Sequence, residues 1–313
     1  MAARTRLRSG HRWATALRGE WLSDKSLAIR VVGSVRRRVY PEVDRLRNEI
    51  TALRAQVKST EREAKASIKS EIEAVQLAAK EATDQRWMAQ VDDVDQQTLD
   101  ILEQAKPYTM TSRDKGIALV IAARHIVRAD IPGAIVECGV WRGGSVHIVA
   151  RAFQAEGVDG RDIQLFDTFE GMTEPTEKDV QAKDGRTAAE LLEASSKNQW
   201  IWAIASLEDV REGLRTLPYP YERFVFVQGP VEETIPEHAP EQIALLRLDT
   251  NWYESPKHEL EHLYDRLAPG GVLIIDDYGS WEGSKLATDE FMATLDDPPM
   301  MLRAGRSRIG VKP

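Results

Sequence analysis

Beyond about residue 107, short apolar runs alternate with longer segments in which apolar residues recur at the spacing of amphipathic helices. The apolar runs with strand character are 134–140, 162–167, 223–229, 243–249 and 271–277, followed by two weaker runs at 300–304 and 308–312. Strands that alternate with helices are typical of a parallel sheet covered on both faces. The pattern therefore predicts a doubly wound, mostly parallel, Rossmann-like α/β domain over residues 101–313 that ends in an antiparallel edge hairpin.

The segment before this domain follows a different pattern. It holds no Pro or Gly between Pro41 and Pro107, and a narrow apolar stripe has the alternating three- and four-residue spacing of a coiled-coil seam. The stripe consists of Leu46, Ile50, Leu53, Val57, Ile68, Ile72 and Val75, with a weaker stretch around Ala64. We predict a long helix over residues 41–100 that forms a homo-oligomer as a coiled coil. A single helix packed on its own domain is the alternative.

Residues 1–40 form a basic arm. Ten Lys and Arg residues stand against Glu20 and Asp24, which gives the arm a charge of +8 in a chain whose net charge is −8. An anionic partner such as a membrane surface, with the arm folded as an amphipathic helix, would explain this charge. A solvated, partly disordered tail explains it equally well. No nucleic-acid partner is predicted.

The sequence offers no sign of export. Its single cysteine, Cys138, excludes an intrachain disulfide and a thiolate metal cluster. No stretch approaches the ~18 apolar residues that span a bilayer, and no apolar segment of a signal peptide follows the basic N-terminus. We therefore expect a cytoplasmic protein, with peripheral contact at the inner membrane face if the arm binds lipid.

A glycine-rich loop follows the first predicted strand. Its glycines are Gly139, Gly143 and Gly144, and the next helix begins near Ser145. Glycine lets a backbone turn sharply and approach a ligand closely. Because the loop lacks the Lys-Ser/Thr of a P-loop and a clean G-x-G-x-x-G, it favours neither phosphate transfer nor a dinucleotide. It suits a cofactor with an amino-acid tail whose ammonium group would lie near Glu137, and a tight connection without a ligand is the alternative.

Acidic residues lie where three of the predicted strands end. Asp167 ends the second strand, where an acid can accept hydrogen bonds from both hydroxyls of a ribose or serve as an N-cap. Asp249 ends the fourth strand, and Asp276 and Asp277 end the fifth.

If the fourth and fifth strands are neighbours, the carboxylates of Asp249, Asp276 and Asp277 repel one another unless a cation or protons neutralise them, and oxygen ligands suit Mg²⁺ or a similar ion. Both acids of the adjacent pair can reach one ion only if the chain leaves the strand there, which Tyr278 and Gly279 allow. A cap for Asp249 and a turn acid for Asp277 are the alternatives.

The segment His258-Glu259-Leu260-Glu261-His262 matches the H-E-x-x-H of zinc proteases. Its helix is predicted to begin after Ser255-Pro256 and to connect two strands, so we interpret it as a crossover helix with solvated histidines rather than a zinc site. Cys138 lies in an apolar strand and is predicted to be a core residue rather than a nucleophile.

Four longer motifs resemble a known family. ECGVWRGGS, LFDTFEGMTEPTE, LLRLDTNWYES and GGVLIIDDYGSW occur in this order between residues 107 and 295, and they resemble the macrocin O-methyltransferase (TylF-like) family. The resemblance implies a class I methyltransferase fold and S-adenosylmethionine (SAM)- and Mg²⁺-dependent methylation of hydroxyls, typically on sugars of antibiotics and other glycans. It implies a cofactor site formed by Met110, Glu137, Gly139, Gly143, Gly144, Ser145 and Asp167, and a metal site formed by Asp249, Asp276 and Asp277.

The sequence departs from this family at two positions. Where members usually carry an Asp that is a candidate general base, this chain has Asn251, and where many have a His it has Ser280. An amide cannot accept a proton, so the base stays open between Asp249 and water, with Asn251 holding the sugar by hydrogen bonds. Four aromatic residues near the acids are candidates for stacking on a sugar, with ordinary packing as the alternative: Trp252, Tyr253, Tyr278 and Trp281.

The sequence thus predicts a metal-assisted, SAM-dependent O-methyltransferase acting on a sugar hydroxyl of a glycan, glycolipid or glycosylated natural product. Two alternatives stay open. Asn251 and Ser280 are compatible with a catalytically degenerate domain that binds cofactor or metal, with the coiled coil as an assembly module. The same metal chemistry would also serve a catechol-type enzyme that methylates a phenolic ring.

Overall fold

The computed structural model describes residues 13–88, 93–197 and 199–313. Its contacts divide the chain into one unit that ends at Met88 and a second that runs from Ala89 to Pro313. Among the described residues, no helix combines the length and the apolar character needed to cross a bilayer.

The first unit is a single helix, α1, Trp13–Met88. The predicted long helix is therefore confirmed, but it begins inside the segment that we predicted as the basic arm. Residues 1–12 of that arm lie outside the described residues. The apolar stripe of α1 is exposed, with exposed fractions from 50% at Ile50 to 68% at Val75. Pairs four residues apart, such as Arg45–Glu49 and Lys65–Glu61, add the modest support that such ion pairs give to an exposed helix.

The second unit contains one seven-stranded sheet with the order β3-β2-β1-β4-β5-β7-β6. The strands are β1 Ala134–Cys138, β2 Ile163–Asp167, β3 Phe224–Gln228, β4 Ile243–Leu248, β5 Leu267–Ile275, β6 Leu302–Ala304 and β7 Ser307–Val311. The first five are parallel to one another, and β7 pairs antiparallel with both β5 and β6. This confirms the predicted doubly wound sheet and its terminal hairpin. The fifth strand starts four residues earlier than predicted.

Helices cover both faces of the sheet. They are α2 Gln96–Ala105, α3 Arg113–Arg128, α4 Gly144–Ala155, α5 Ala188–Glu193, α6 Leu207–Arg215, α7 Val231–Thr234, α8 Glu254–Leu263 and α9 Glu282–Met292, with short 3₁₀ turns at Lys106–Tyr108, Trp200–Trp202, Tyr221–Arg223 and Tyr264–Arg266. Val136, Leu246 and Leu273 form one core face with Leu260 and Leu263 of α8. Because the alternate strand residues are also buried, the strands read as nearly continuous apolar runs.

Helix α2 belongs to the second unit. Its residues Ile101, Leu102 and Ala105 are buried, and the helix packs on α3 and α4. The predicted boundary between residues 100 and 101 falls inside this helix, whereas the contacts divide the chain after Met88. The alternation of charged and apolar residues continues past Met88, so the sequence does not indicate a domain boundary there.

Candidate active site

The glycine loop that follows β1 allows the ends of two neighbouring strands to approach. Gly139 has φ +80°, and a Cβ on it would lie 2.2 Å from the carbonyl oxygen of Asp249. Only glycine fits such a close approach with a left-handed backbone. The loop after β1 is thereby held directly beside the first residue after β4.

The next two glycines serve helix packing. Gly143 takes the left-handed conformation (φ +78°) at the N-cap of α4, and a Cβ on Gly144 would lie 2.4 Å from Cβ of Thr109. Gly144 therefore lets the Tyr108–Thr111 segment close over the start of α4. Neither glycine lines the main cleft, which the loop borders through Gly139, Val140 and Trp141.

Asp167, at the end of β2, supports the glycine loop. Its Oδ2 accepts hydrogen bonds from the backbone N–H groups of Val140 (2.6 Å) and Trp141 (3.1 Å), and its Oδ1 accepts one from Phe169 N–H (2.7 Å). The side chain also borders the cleft. Thr168 Oγ1 also lies 3.4 Å from Oδ1, but its single proton has a closer acceptor in the carbonyl oxygen of Gly171 (2.8 Å). Of the about four acceptor positions of the carboxylate, one therefore remains for a ligand.

The three aspartates predicted as metal ligands come together. Asp249 follows β4, and Asp276 and Asp277 follow β5, the neighbouring strand; one carboxylate oxygen from each lies within 4.8 Å of the others. The chain turns at Asp276–Ser280, directly after the strand, which brings both adjacent acids to one side. Asp276 and Asp277 are buried, while the Asp249 side chain is 28% exposed to the cleft.

Two cations that the sequence analysis did not single out lie among these acids. Arg247, in β4, contacts Asp276 Oδ1 (2.6 Å), Asp249 Oδ2 (2.8 Å) and Glu137 Oε1 (2.5 Å). Lys115, from the first turn of α3, donates to Asp276 Oδ2 and to the carbonyl oxygen of the same residue (3.1 Å). An arginine inside an apolar strand was a visible signal, since Arg is rarely buried unless paired. No local pattern marks Lys115.

Glu137 is withdrawn from the cleft. It is 3% exposed, bonded to Arg247, and absent from the cleft lining. Burial raises its pKa to about 7 against the opposing effect of Arg247. The Glu137 side chain therefore does not face the cleft, and its contact with a cofactor ammonium group stays a prediction. Its Oε2 is buried and has no hydrogen-bond partner among the described residues.

The charges of the three aspartates are not balanced by the two cations. Burial and neighbouring carboxylates raise the pKa values of Asp249 and Asp277, whereas Arg247 and Lys115 overcome burial and lower the pKa of Asp276. Asp277 Oδ2 is buried and has no hydrogen-bond partner in the part of the chain that the structure describes. A hard divalent cation fits this oxygen-only donor set, because it would supply the missing charge and a partner for that oxygen.

Several residues at the cleft have left-handed backbones. Trp141 (φ 48°), Ala203 (φ 44°) and Asn251 (φ 67°) all line it. Such conformations are uncommon for residues other than glycine and often occur at ligand sites. Asn is among the residue types that tolerate this region best. The left-handed backbone of Asn251 sets the direction in which its side chain leaves the turn.

The cleft has a volume of about 290 Å³. Of the residues predicted at the cofactor, metal or substrate, those that line it are Met110, Gly139, Ser145, Asp167, Asp249, Asn251, Asp276 and Asp277. The glycine loop, Asp167 at the end of β2 and the three aspartates thus border one cavity.

The four aromatic residues do not line the cleft. Trp252 and Trp281 are 2% and 3% exposed and pack edge to face with ring centroids 4.8 Å apart. Tyr253 is buried beneath Lys178, whose Nζ lies 3.2 Å from the ring centroid, and Arg308 covers the ring of Tyr278. The burial of Trp252, Tyr253 and Trp281 favours the alternative of ordinary packing, and stacking on a sugar stays a prediction.

The H-E-x-x-H segment is structural, although not in the manner predicted. The helix begins at Glu254, and the histidines are half-buried rather than solvated: His258 Nε2 bonds to the carbonyl of Ile235 (2.9 Å) and His262 Nδ1 to that of His258 (2.8 Å). Glu259 is fully buried and accepts a hydrogen bond from Thr250 Oγ1 (3.1 Å). Cys138 is buried in β1, as predicted.

Comparison with known proteins adds to this geometry. The sequence profile of the family described as macrocin-O-methyltransferase (TylF) matches residues 41–300, a longer range than the 107–295 over which the four motifs occur. Demethyldecarbamoylnovobiocin O-methyltransferase of Streptomyces niveus is 30% identical over 55% of this chain and 62% of its own length.

A methyltransferase of Streptomyces olivaceus that acts on the 4'-position of a dimethoxy-rhamnosyl-tetracenomycin is 32% identical over the same shares, 55% of this chain and 62% of its own. The matches thus span about three fifths of these relatives.

Solved structures share the fold. The O-methyltransferase NovP superposes with a TM-score of 0.57 at 27% identity, over 66% of this chain and 82% of that one. The calicheamicin methyltransferase CalS11 superposes with a TM-score of 0.50 at 21% identity, over 72% of this chain and 96% of that one. The second unit therefore has a fold found among methyltransferases.

Proposed function

Because the chain belongs to the macrocin-O-methyltransferase (TylF) family, we propose that it is a SAM-dependent, divalent-metal-assisted O-methyltransferase that acts on a sugar hydroxyl. The observation that carries the proposal is the meeting of three aspartates with the glycine loop and Asp167 around one cleft. The name of the Streptomyces olivaceus relative, which specifies O-methylation of a rhamnosyl-tetracenomycin, supports this acceptor class. A glycan or glycolipid falls within the same proposal.

The cofactor would lie along the β1 and β2 side of the cleft. In this proposal the backbone around Gly139 and the Ser145 hydroxyl meet the methionine portion, and the remaining acceptor position of Asp167 binds the ribose. Met110, 51% exposed at the cleft, would cover the bound cofactor. Calorimetric titration with SAM tests this arrangement, and Asp167→Ala should abolish the heat of binding.

Asp249, Asp276 and Asp277 would hold Mg²⁺ or a similar ion. When bound, such an ion stabilises a developing alkoxide and lowers the pKa of the acceptor hydroxyl. The aspartates contribute by fixing where that hydroxyl lies relative to the methyl donor, and such positioning can lower a barrier by several kcal/mol.

The proton of the hydroxyl needs an acceptor other than Asn251. Asp249 is the aspartate that faces the cleft most openly, with its side chain 28% exposed, so of the three carboxylates it is the one most open to an acceptor hydroxyl. In the proposal the proton passes to Asp249 or to water, and the Asn251 amide holds the sugar by hydrogen bonds.

Two features favour a catalytically degenerate domain as a second candidate. Asn251 replaces a potential base, and Lys115 and Arg247 already bond to both carboxylate oxygens of Asp276. A degenerate domain would bind SAM in the calorimeter yet transfer no methyl group. A methylation assay with radiolabelled SAM and a panel of glycosylated and phenolic acceptors distinguishes it from a sugar enzyme and from a catechol-type enzyme.

We also propose that α1 pairs with a second copy of the chain. Leu46, Val57 and Ile68 are spaced eleven residues apart, a repeat of about 3.67 residues per turn that keeps a stripe on one face of a nearly straight helix. Residues 41–76 carry seven basic and seven acidic side chains, so identical helices do not repel one another through net charge. Contact of the basic arm with an anionic membrane stays a proposal about residues 1–40.

A further inference from the structure

The two carboxylate oxygens of Asp276 are both bonded to cations. Oδ1 accepts from Arg247 Nη2 at 2.6 Å, and Oδ2 accepts from Lys115 Nζ. A metal ion that used Asp276 as a ligand would need one of these oxygens. Each oxygen keeps a second lone pair that the ion could use, but a cation bonded to that oxygen would lie beside the ion and be repelled by it. We therefore expect one of the two cations to give up its bond.

Arg247 is the cation that is fixed. Its side chain is 4% exposed, projects from the middle sheet strand β4, and is held by three carboxylates. Breaking a buried pair of this kind by removing one partner is strongly destabilising. Arg247 is also needed to neutralise Glu137, which is 3% exposed.

Lys115 is the cation that can move. It comes from the first turn of α3, next to the Tyr108–Thr111 segment, and its side chain lines the cleft and is 15% exposed. Among the described residues its ammonium group bonds to Asp276 alone, through the carboxylate and the backbone carbonyl. A flexible four-carbon stem lets an ammonium group withdraw toward the cleft without a change in the sheet.

The balance of charge agrees with an exchange of this kind. Four carboxylates, from Glu137 and the three aspartates, face the two cations Arg247 and Lys115. Like charges at this separation are relieved by further positive charge or by protons on some of the carboxylates. A divalent ion supplies more charge than the single ammonium group that it would displace.

We propose that Lys115 is a tethered counterion that occupies a ligand oxygen of Asp276 and is displaced when a divalent cation binds. The inference rests on the proposed metal role of the aspartates. Lys115 thereby weakens metal affinity in the free protein while it stabilises the acidic cluster. Because Lys115 lies in the first turn of α3, withdrawal of its ammonium group also couples metal binding to this turn of the helix.

Binding of Mn²⁺ alone, without SAM, tests the proposal. Free Mn²⁺ is measured by electron paramagnetic resonance in titrations of the full chain and its Lys115→Met and Lys115→Arg variants. We expect Lys115→Met to bind Mn²⁺ about tenfold more tightly, because the variant removes a positive charge from beside the ion. Lys115→Arg, and Lys285→Met on α9 as a matched control, should stay close to the wild-type affinity.

The outcomes separate this inference from the proposed function. Equal or weaker affinity of Lys115→Met, with Mn²⁺ bound by the wild type, overturns the inference and leaves the metal role intact. Binding by Lys115→Met but not by the wild type supports the inference and contradicts the metal role in the natural chain. Absence of binding in both overturns both.

A crystal structure of the wild type with Mn²⁺ provides a test that needs no variant. We expect Mn²⁺ bonded to Asp276 and the Lys115 ammonium group beyond hydrogen-bond distance of that carboxylate. Mn²⁺ bound through Asp249 and Asp277, with Lys115 still bonded to Asp276, overturns the inference.

Discussion

Glu259 offers a sharp test of the electrostatics beneath the site. Its carboxyl group is fully buried in α8, with Oε2 accepting from Thr250 Oγ1 and Oε1 without a partner among the described residues. Burial raises its pKa from 4.5 to about 8. Thr250 follows Asp249 directly, so this carboxyl group supports the turn that carries the cleft residues.

The sign of its effect on stability follows from linkage. Since the folded protein holds this proton more tightly than the unfolded chain, Glu259 makes unfolding easier as the pH rises from about 4.5 to about 8. At 1.36 kcal/mol per pKa unit, the wild type should lose about 4 kcal/mol of unfolding free energy from this group between about pH 5 and pH 9. Glu259→Gln cannot ionise and should not show that loss.

Urea unfolding followed by tryptophan fluorescence at a series of pH values measures the difference, and the chain's eight Trp residues provide the signal. Other groups titrate over the same range, so the difference between the wild-type and Glu259→Gln curves is the quantity of interest. Glu261→Gln, exposed on the same helix, is the matched control and should follow the wild type. Parallel curves for wild type and Glu259→Gln would refute the reasoning.

Three further predictions concern the cleft and the long helix. Asn251→Asp should raise the methyl-transfer rate at least about tenfold if a general base is missing, because Asp also tolerates the left-handed backbone. Gly139→Ala should lower the unfolding free energy by about 2 kcal/mol or more and abolish SAM binding in calorimetry, since its Cβ would overlap the Asp249 carbonyl. Replacing both Ile50 and Leu53 with Glu should yield a monomer in light scattering coupled to size-exclusion chromatography, because two charges would interrupt the apolar stripe.

Each of these three predictions has a control variant, and the first also has an outcome that would contradict it. An unchanged rate for Asn251→Asp would mean that proton removal does not limit turnover, and Asn251→Ala reports whether the amide itself binds the acceptor. Gly157→Ala, with a left-handed backbone but no atom within 4 Å of its Cβ, should cost less than Gly139→Ala and leave SAM binding intact. A double substitution of exposed Gln56 and Ser59 with Glu should leave the oligomeric state of α1 unchanged.

The sheet was predictable because buried parallel strands are continuous apolar runs. Three of these runs end in Asp167, Asp249 and Asp276, and their order along the chain places these acids at one edge, since the carboxyl ends of parallel strands share an edge. Strand ends were accurate to one or two residues for this reason. The exception is the start of β5, where Pro269 and Gly270 interrupt the apolar run that the strand nonetheless includes.

Contacts between distant segments were not predictable from local patterns. Lys115 reaches Asp276 across 161 positions of sequence, and no spacing rule connects them. Trp252 and Trp281 adjoin the acids in the sequence, which makes them candidates for sugar-binding rings, whereas the insertion between β2 and α6 buries them together with Ile201. The left-handed backbone of Asn251 also belongs to the tertiary arrangement rather than to its residue type.

The proposed activity is tested most directly by mass spectrometry of glycans and glycosylated metabolites from cells with the gene, without it, and with Asp276→Asn in its place. We predict that one glycan or glycosylated metabolite loses a single methyl group when the gene is removed, regains it with the wild-type gene, and does not regain it with Asp276→Asn. Identical spectra in all three strains would contradict a sugar O-methyltransferase built on these aspartates.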